Sequence, residues 1–470
     1  MPPPGADPSD PGAWATIREA LHGSRQDFTE GPVGRAVVLL AVPMILEMAL
    51  ESVFAVVDVF WVSKLGAGAI ATIGLTESML AIVYAVAIGL SMSTGAMVAR
   101  RIGEKDPERA SRTALQAIGL GIFVGLAIGI PAAMNARRLL ALMGAGPDVI
   151  AAGGGFATIM LGGNVVIVLL FLINASFRGA GDAAIAMRVL WIANIVNLVL
   201  DPCLIFGLGP FPKLGVTGAA VATTTGRGIA VVIQLVILFR GKGRISIGRR
   251  SFRFDFDAIR TLLRLAGHGV LQNVVGTASW TVLVRILSGF GSAAVAGYTI
   301  GIRIIIFALL PSWGMSNAAA TMVGQSLGAK KPERAERAVW MAALYNVIFL
   351  GAVGILFVVL AGPLVRLFTD DPAILPYAAD CLRIVSYGFV FFAYGMVMIQ
   401  AFNGAGDTWT PTVINFFCFW VFEIPVAWFL AERAGLGPRG VFLAITAAFS
   451  TLAVVGVTLF RRGKWKTKIV

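Results

Sequence analysis

Twelve stretches of about 20 or more mostly apolar residues, separated by short polar loops, are what most tightly constrain this 470-residue chain. They lie near 35–60, 68–97, 111–135, 150–176, 184–206 and 215–239, then near 259–286, 293–322, 334–360, 375–402, 409–431 and 438–460. Lipid offers no partner to an open peptide group, so each stretch is expected to cross a bilayer as a helix that satisfies its own backbone. Charged residues make up only 13% against 57% hydrophobic, too little polar surface to cover several water-soluble cores. The formal charge of +13 would suggest nucleic acid in a soluble protein. Here the basic residues sit between apolar runs, as topology signals do, so nucleic acid is not expected as a partner. Cys203, Cys381 and Cys418 all fall within apolar runs and read as packing residues.

Alternating the loops from a cytoplasmic N-terminus puts 26 basic residues inside and seven outside. That contrast predicts a multi-pass protein of the inner (plasma) membrane with both termini cytoplasmic. The opening Met-Pro-Pro-Pro-Gly run has neither the basic start nor the apolar core of a secretory signal. The expected organisation is a disordered tail over 1–30, an N-lobe over 31–240 and a linker over 241–258. A C-lobe over 259–462 and a short tail over 463–470 follow.

The two halves repeat at an offset of 225 residues. Phe177-Arg178-Gly179-Ala180-Gly181-Asp182 returns as Phe402-Asn403-Gly404-Ala405-Gly406-Asp407, and Pro107-Glu108-Arg109-Ala110 returns as Pro332-Glu333-Arg334-Ala335. Pro147 maps to Pro372, and Gly215-Val216 maps to Gly440-Val441, at the same spacing. Six crossings per half give both halves one orientation. The fold class is therefore an all-α membrane protein of two six-helix bundles, related by a pseudo-twofold along the membrane normal. Such bundles leave a cleft that rocking exposes to alternate sides; the plainer reading is that duplication only stabilises the fold.

Ionisable groups at bilayer depth cost roughly 2.5–3.5 kcal/mol each on insertion scales, so each demands a reason. Glu47, Glu51 and Asp58 in the first helix point within roughly 40° of one another at about 100° per residue. The expectation is an acidic stripe facing a cavity or partners rather than lipid, where crowded carboxylates raise a pKa and exchange protons. In the fifth helix Asn194, Asn197 and Asp201 share a face. An oxygen-only cluster of this kind suits a proton or a hard cation such as Na⁺; the alternative is a polar cluster that glues helices together. Pro43 removes a backbone hydrogen bond and is a candidate hinge. Glu77 and Glu423 read as partners for Arg227, Arg285, Arg303 or Arg383, and His268 as a hydrogen-bonded core residue. Trp280, Trp313, Tyr394, Trp409 and Trp420 are candidates for cation–π contact with a flat cargo, or for interfacial anchoring.

Enzyme patterns are missing. No cysteine pair has zinc spacing, and no glycine-rich loop carries a Walker Lys-Ser/Thr. No cofactor is expected, and active transport would draw on an ion gradient, about 2.3 kcal/mol per charge at 100 mV. A membrane-embedded lipid transferase or phosphatase remains the rival from another class, and a non-transporting scaffold the plain one.

The run Pro43…Phe54-Ala55-Val56-Val57-Asp58-Val59-Phe60-Trp61-Val62 with Leu65-Gly66 resembles the multidrug and toxic compound extrusion (MATE) family. So do Arg178-Gly179-Ala180-Gly181-Asp182, Asn197…Asp201-Pro202 and Gly215-Val216-Thr217-Gly218-Ala219-Ala220. The resemblance covers about residues 30 to 462. It implies twelve helices in two lobes around a V-shaped cleft, and antiport of amphiphilic, often cationic, compounds against H⁺ or Na⁺. In the prokaryotic DinF-like branch it implies an N-lobe ion site, here Asp58, Asn174, Asn197, Asp201 and Thr223. Na⁺ would sit at Asp58, Asn197, Asp201 and Thr223, and Pro43 matches the bending proline of the first helix. The seventh helix, from Leu262 to Leu287, carries no acid where other branches use a glutamate, and Asp380 lies near the start of the tenth. Both departures point to the DinF-like branch. Glu47, Glu51 and Glu423 match no family role. Small amphiphiles and membrane lipids are the expected partners of a monomer; a lipid-linked precursor flippase of the same superfamily is the nearest rival.

Overall fold

The computed structural model describes residues 12–468; the side chains of Ala13, Ala55, Val56, Asp58, Val59, Arg249 and Arg250 lie outside that description. Among the described residues it is all-helical. The membrane-spanning helices are α1 (Val33–Ser63), α2 (Ala67–Gly103), α3 (Pro107–Met134), α4 (Pro147–Ala180), α5 (Ala183–Phe206) and α6 (Val216–Arg240). They continue as α7 (Phe256–Ser288), α8 (Ser292–Gly328), α9 (Pro332–Arg366), α10, α11 (Trp409–Arg433) and α12 (Pro438–Arg461). Eleven of them are single spans, and α10 is a pair, Leu375–Ser386 and Phe389–Gly404, bent by 60°. The twelve expected spans are thus accounted for.

The duplication is visible in backbone detail. α2 and α8 both end in a glycine, and each is followed by a lysine in the left-handed region, Lys105 at φ 61° and Lys330 at φ 58°. A proline then opens the next helix, where a missing N–H costs nothing. Two glycine pairs set how closely the lobes meet. A Cβ on Gly89 of α2 would stand 2.7 Å from the Ala266 carbonyl of α7, and one on its repeat mate Gly314 of α8 would stand 2.6 Å from the Met44 carbonyl of α1. Gly103 faces the Gln325 carbonyl and its mate Gly328 faces the Arg100 carbonyl, each too near for any side chain. Bare glycine lets backbones touch where lipid supplies no hydrophobic drive. α1 therefore packs on α8, and α2 on both α7 and α8, across the pseudo-twofold.

The register slips in the last hairpin. α6 begins after Gly215 at φ 58° and α12 begins after Gly437 at φ 57°, so the mate of Gly215 is Gly437 and not Gly440. The connection 434–437 is shorter than 207–215, and the Gly-Val dipeptides align in sequence without being equivalent in space.

The expected disordered tail is also corrected over the described part of it. Residues Ala13–His22 form a helix, and the chain from Gly23 to Pro32 crosses the end of the bundle with Phe28 only 1% exposed. Residues 1–11 of that expected tail lie outside the described residues. Arginine and lysine side chains from both halves hold the crossing segment.

Candidate functional site

Asn197 and Asp201 lie one turn apart in α5, and Thr223 faces them from α6. All three are buried, Asp201 completely. With its amide oriented to satisfy both neighbours, Asn197 donates to Asp201 Oδ2 at 2.7 Å. Its oxygen then accepts from the Thr223 N–H and hydroxyl, both at 3.0 Å. Gly226, one turn beyond Thr223, brings α6 close enough that a Cβ there would stand 3.3 Å from Asn197 Cβ. Pro202, next to the carboxylate, has no N–H to donate to the Leu198 carbonyl, so the usual helical bond is missing from α5 there. Carboxylate, amide and hydroxyl oxygens form a donor set for a proton or a hard, oxygen-seeking cation.

The other expected members of this cluster fall out differently. Asn174 is buried, and its oxygen accepts from Gln234 Nε2 of α6. The Asp58 side chain lies outside the described residues, though α1 packs along α5. Asn194 is half-buried, its Nδ2 has no partner among the described residues, and it takes no part in the Asn197–Thr223 bonds.

In the acidic stripe of α1, Glu47 meets a partner and not the cavity. Glu47 is 1% exposed, and its Oε1 accepts from Arg178 Nη1 of α4 at 2.6 Å. Of the two settings expected, a cavity or partners, Glu47 takes the second, as an ion pair inside the N-lobe. Glu51, one turn on, is half-buried. Pro43 sits within an unbroken α1, one residue before the Met44 carbonyl that meets Gly314 of the other lobe. The candidate hinge therefore lies at a contact between lobes.

The C-lobe holds a cavity of about 440 Å³ among α7, α8, α10, α11 and α12. Trp280, Trp313, Phe419, Phe449 and Met396 form much of its wall, with Gln272 and Asn415 among its polar lining. None of the described residues lining it is charged. The reason is legible in the repeat. The positions 225 residues after Glu47 and Arg178 hold Gln272 and Asn403, so the buried ion pair of one lobe is a pair of neutral amides in the other. Trp280 and Trp313 therefore stand as cavity aromatics. Trp420 donates to the Val275 carbonyl, Tyr394 packs on Trp340, and Trp409 lies against His268, which bonds Thr408 as a core histidine does.

Glu423 departs from the expected pairing. It is fully buried on α11, where Phe416–Glu423 winds as π-helix, and among the described residues neither carboxylate oxygen has a hydrogen-bond partner. Insertions of this kind into an α-helix recur at functional sites.

Residues 43–203 and 269–429 each match the MatE family, one copy per lobe. The probable multidrug resistance protein NorM of Thermotoga maritima is 25% identical over 438 residues, 93% of this chain and 94% of that protein. The probable multidrug resistance protein YoeA of Bacillus subtilis is 26% identical, over 94% of this chain and 96% of its own. A solved structure, MATE in the straight conformation, superposes with a TM-score of 0.89 at 27% identity, covering 95% of this chain and all of that one. Members of this family are membrane transporters and not enzymes, which removes the transferase and phosphatase reading. With its match spread over both repeats, the chain belongs to the MatE family.

Proposed function

We propose that this chain is a secondary antiporter of the DinF-like branch, exporting amphiphilic organic compounds, most suitably cations, in exchange for H⁺ or Na⁺. The observation that carries the reading is a division of labour between lobes. The N-lobe buries a carboxylate, Asp201, within reach of the Asn197 amide and beside Thr223, while the C-lobe offers an uncharged aromatic cavity. A carboxylate in a poorly solvated interior binds an ion only when cleft geometry admits it. Uncharged aromatic walls attract an organic cation through ring faces without a fixed counter-charge. The multidrug names of the NorM and YoeA relatives agree with such cargo.

In the cycle, Asp201 and Asp58 take up the coupling ion from outside, which weakens cargo binding and releases it. Ion release to the cytoplasm then resets the cleft. Asn197 and Thr223 supply neutral oxygens at the carboxylate, and Pro43 lets α1 bend against α8. The chain works as a monomer in the plasma membrane with both termini cytoplasmic. The test is purified protein in liposomes loaded with a dye-like organic cation, under an imposed pH gradient and then a Na⁺ gradient. Efflux driven by one of the two supports the antiport; translocation of a lipid-linked precursor with no cation efflux would favour the flippase instead.

A further inference from the structure

We propose that the N-terminal segment Gly23–Pro32 is a latch that closes the cytoplasmic side of the cleft, held by the N-lobe and released by Arg334 and Lys331 of the C-lobe. The inference rests on alternating access as proposed above and adds a device that neither the repeat nor the ion site contains. An inward-facing state requires the lobes to part on that side, so every tie across the seam must break in each cycle.

The segment is tied to both lobes. Towards the N-lobe, Asp27 pairs with Lys105 in the α2–α3 loop. Arg244, after α6, donates to the carbonyls of Ser24 at 2.8 Å and Gln26 at 2.7 Å, with its guanidinium 4.6 Å over the Phe28 ring. Arg244 is itself fixed by Asp182 of the α4–α5 loop. Towards the C-lobe, one side chain does most of the holding. Arg334 donates through Nε to Phe28 O at 2.9 Å and through its two terminal nitrogens to Gly31 O and Glu30 O, each at 2.7 Å. Lys331 adds a bond to Thr29 O at 3.0 Å. Phe28 is sealed beneath these bonds, in a cluster that takes Ala183 from one lobe and Ala335, Ala338 and Phe402 from the other. Gly181, at φ 90°, leaves it room: a Cβ there would stand 2.7 Å from the ring.

Two features assign the hinge and the release. The segment runs directly into α1, and the helix before it is bound to α1 by Glu19 and Arg35 at 2.7 Å, so its covalent and ionic anchors both belong to the N-lobe. Burial raises the Asp27 pKa, but hydrogen bonds from Lys105 and Thr29 outweigh it and hold the carboxyl at about 2, so that anchor stays ionised at any physiological pH. The C-lobe ties are bonds from cations to neutral carbonyls, which water replaces more readily than it replaces an ion pair's partner. The arrangement also breaks the pseudo-symmetry. Arg109 and Lys330, the repeat mates of Arg334 and Lys105, make no bond to the segment among the described residues.

Cross-linking tests this in liposomes. Thr29→Cys with Lys331→Cys, bridged by a short reducible linker, is expected to lower cation efflux at least tenfold, with recovery on reduction. Asp27→Cys with Lys105→Cys, bridged in the same way, is expected to leave efflux within twofold of the unbridged protein. Spin labels at Glu108→Cys and Glu333→Cys, with Cys203 replaced by serine, read the cytoplasmic opening directly. Arg334→Ala with Lys331→Ala is expected to raise the long-distance population several-fold, and Arg109→Ala to leave it unchanged. Full efflux through the Thr29–Lys331 bridge would overturn the latch. Absence of efflux from the unmodified protein would instead overturn the transport reading on which it rests.

Discussion

Glu47 of α1 and Arg178 of α4 meet at 2.6 Å inside the N-lobe, where the repeat-related positions of the C-lobe carry Gln272 and Asn403. Two halves of one origin thus solve the same buried position with opposite chemistry. The charged solution ties α1 to its lobe one turn beyond Pro43; the neutral one leaves Gln272 to line the cavity.

Breaking that pair by Arg178→Ala strands a buried carboxylate, and the expected loss is about 3–5 kcal/mol. The double change Glu47→Gln with Arg178→Asn, which copies the C-lobe, should recover most of the lost stability because both charges leave together. Thermal unfolding in detergent reads both. Equal loss in the double variant would mean that the charge itself is needed to hold α1.

At the α1–α8 crossing, Gly314→Ala drives a methyl towards the Met44 carbonyl, 2.6 Å from where its Cβ would sit. Overpacking of this kind costs about 1–3 kcal/mol. The expected result is a lower melting temperature with slowed efflux. An unchanged melting temperature would show that the lobes are looser here than the structure has them.

Trp280→Ala and Trp313→Ala remove ring faces from the C-lobe cavity. Cation–π contacts weigh about 0.5–2 kcal/mol each, so each variant should weaken binding of an aromatic cation up to roughly 30-fold. A neutral analogue of the same shape should lose less. Fluorescence binding with the paired ligands checks it; equal losses for both would assign the walls to shape alone.

The Asp27–Lys105 anchor has a defined acid limit. Its folded pKa, about 2, lies below the ordinary 3.8, so its contribution is complete above about pH 4 and is lost as pH falls towards 2. Asp27→Asn should flatten that acid-side loss of stability in a pH series of melting temperatures. A series identical to that of the unaltered protein would place the acid sensitivity elsewhere.

How much of this was legible in the sequence follows from the range of each interaction. The spans and the repeat could be read because apolar length and the loop motifs around Arg178 and Asp182 are local. Asn197, Asp201 and Thr223 could be grouped through the family resemblance, and Asn197 with Asp201 by helical spacing alone. Glu47 could not be read as paired, since its partner lies 131 positions away. The segment around Phe28 looked like a tail because its polar, glycine-containing run has no periodicity. What orders it is Arg334, 306 positions downstream, which no local pattern announces. The slip from Gly440 to Gly437 was hidden because a Gly-Val dipeptide matched in sequence at the wrong place.

Efflux of an organic cation by Asp201→Asn in liposomes, under a pH gradient and separately a Na⁺ gradient, addresses ion coupling most directly. Loss of gradient-driven efflux by at least tenfold, with folding and cargo binding retained, is the predicted result. Gradient-driven efflux at the unaltered rate would contradict it, and would move the coupling away from the Asn197–Asp201–Thr223 cluster.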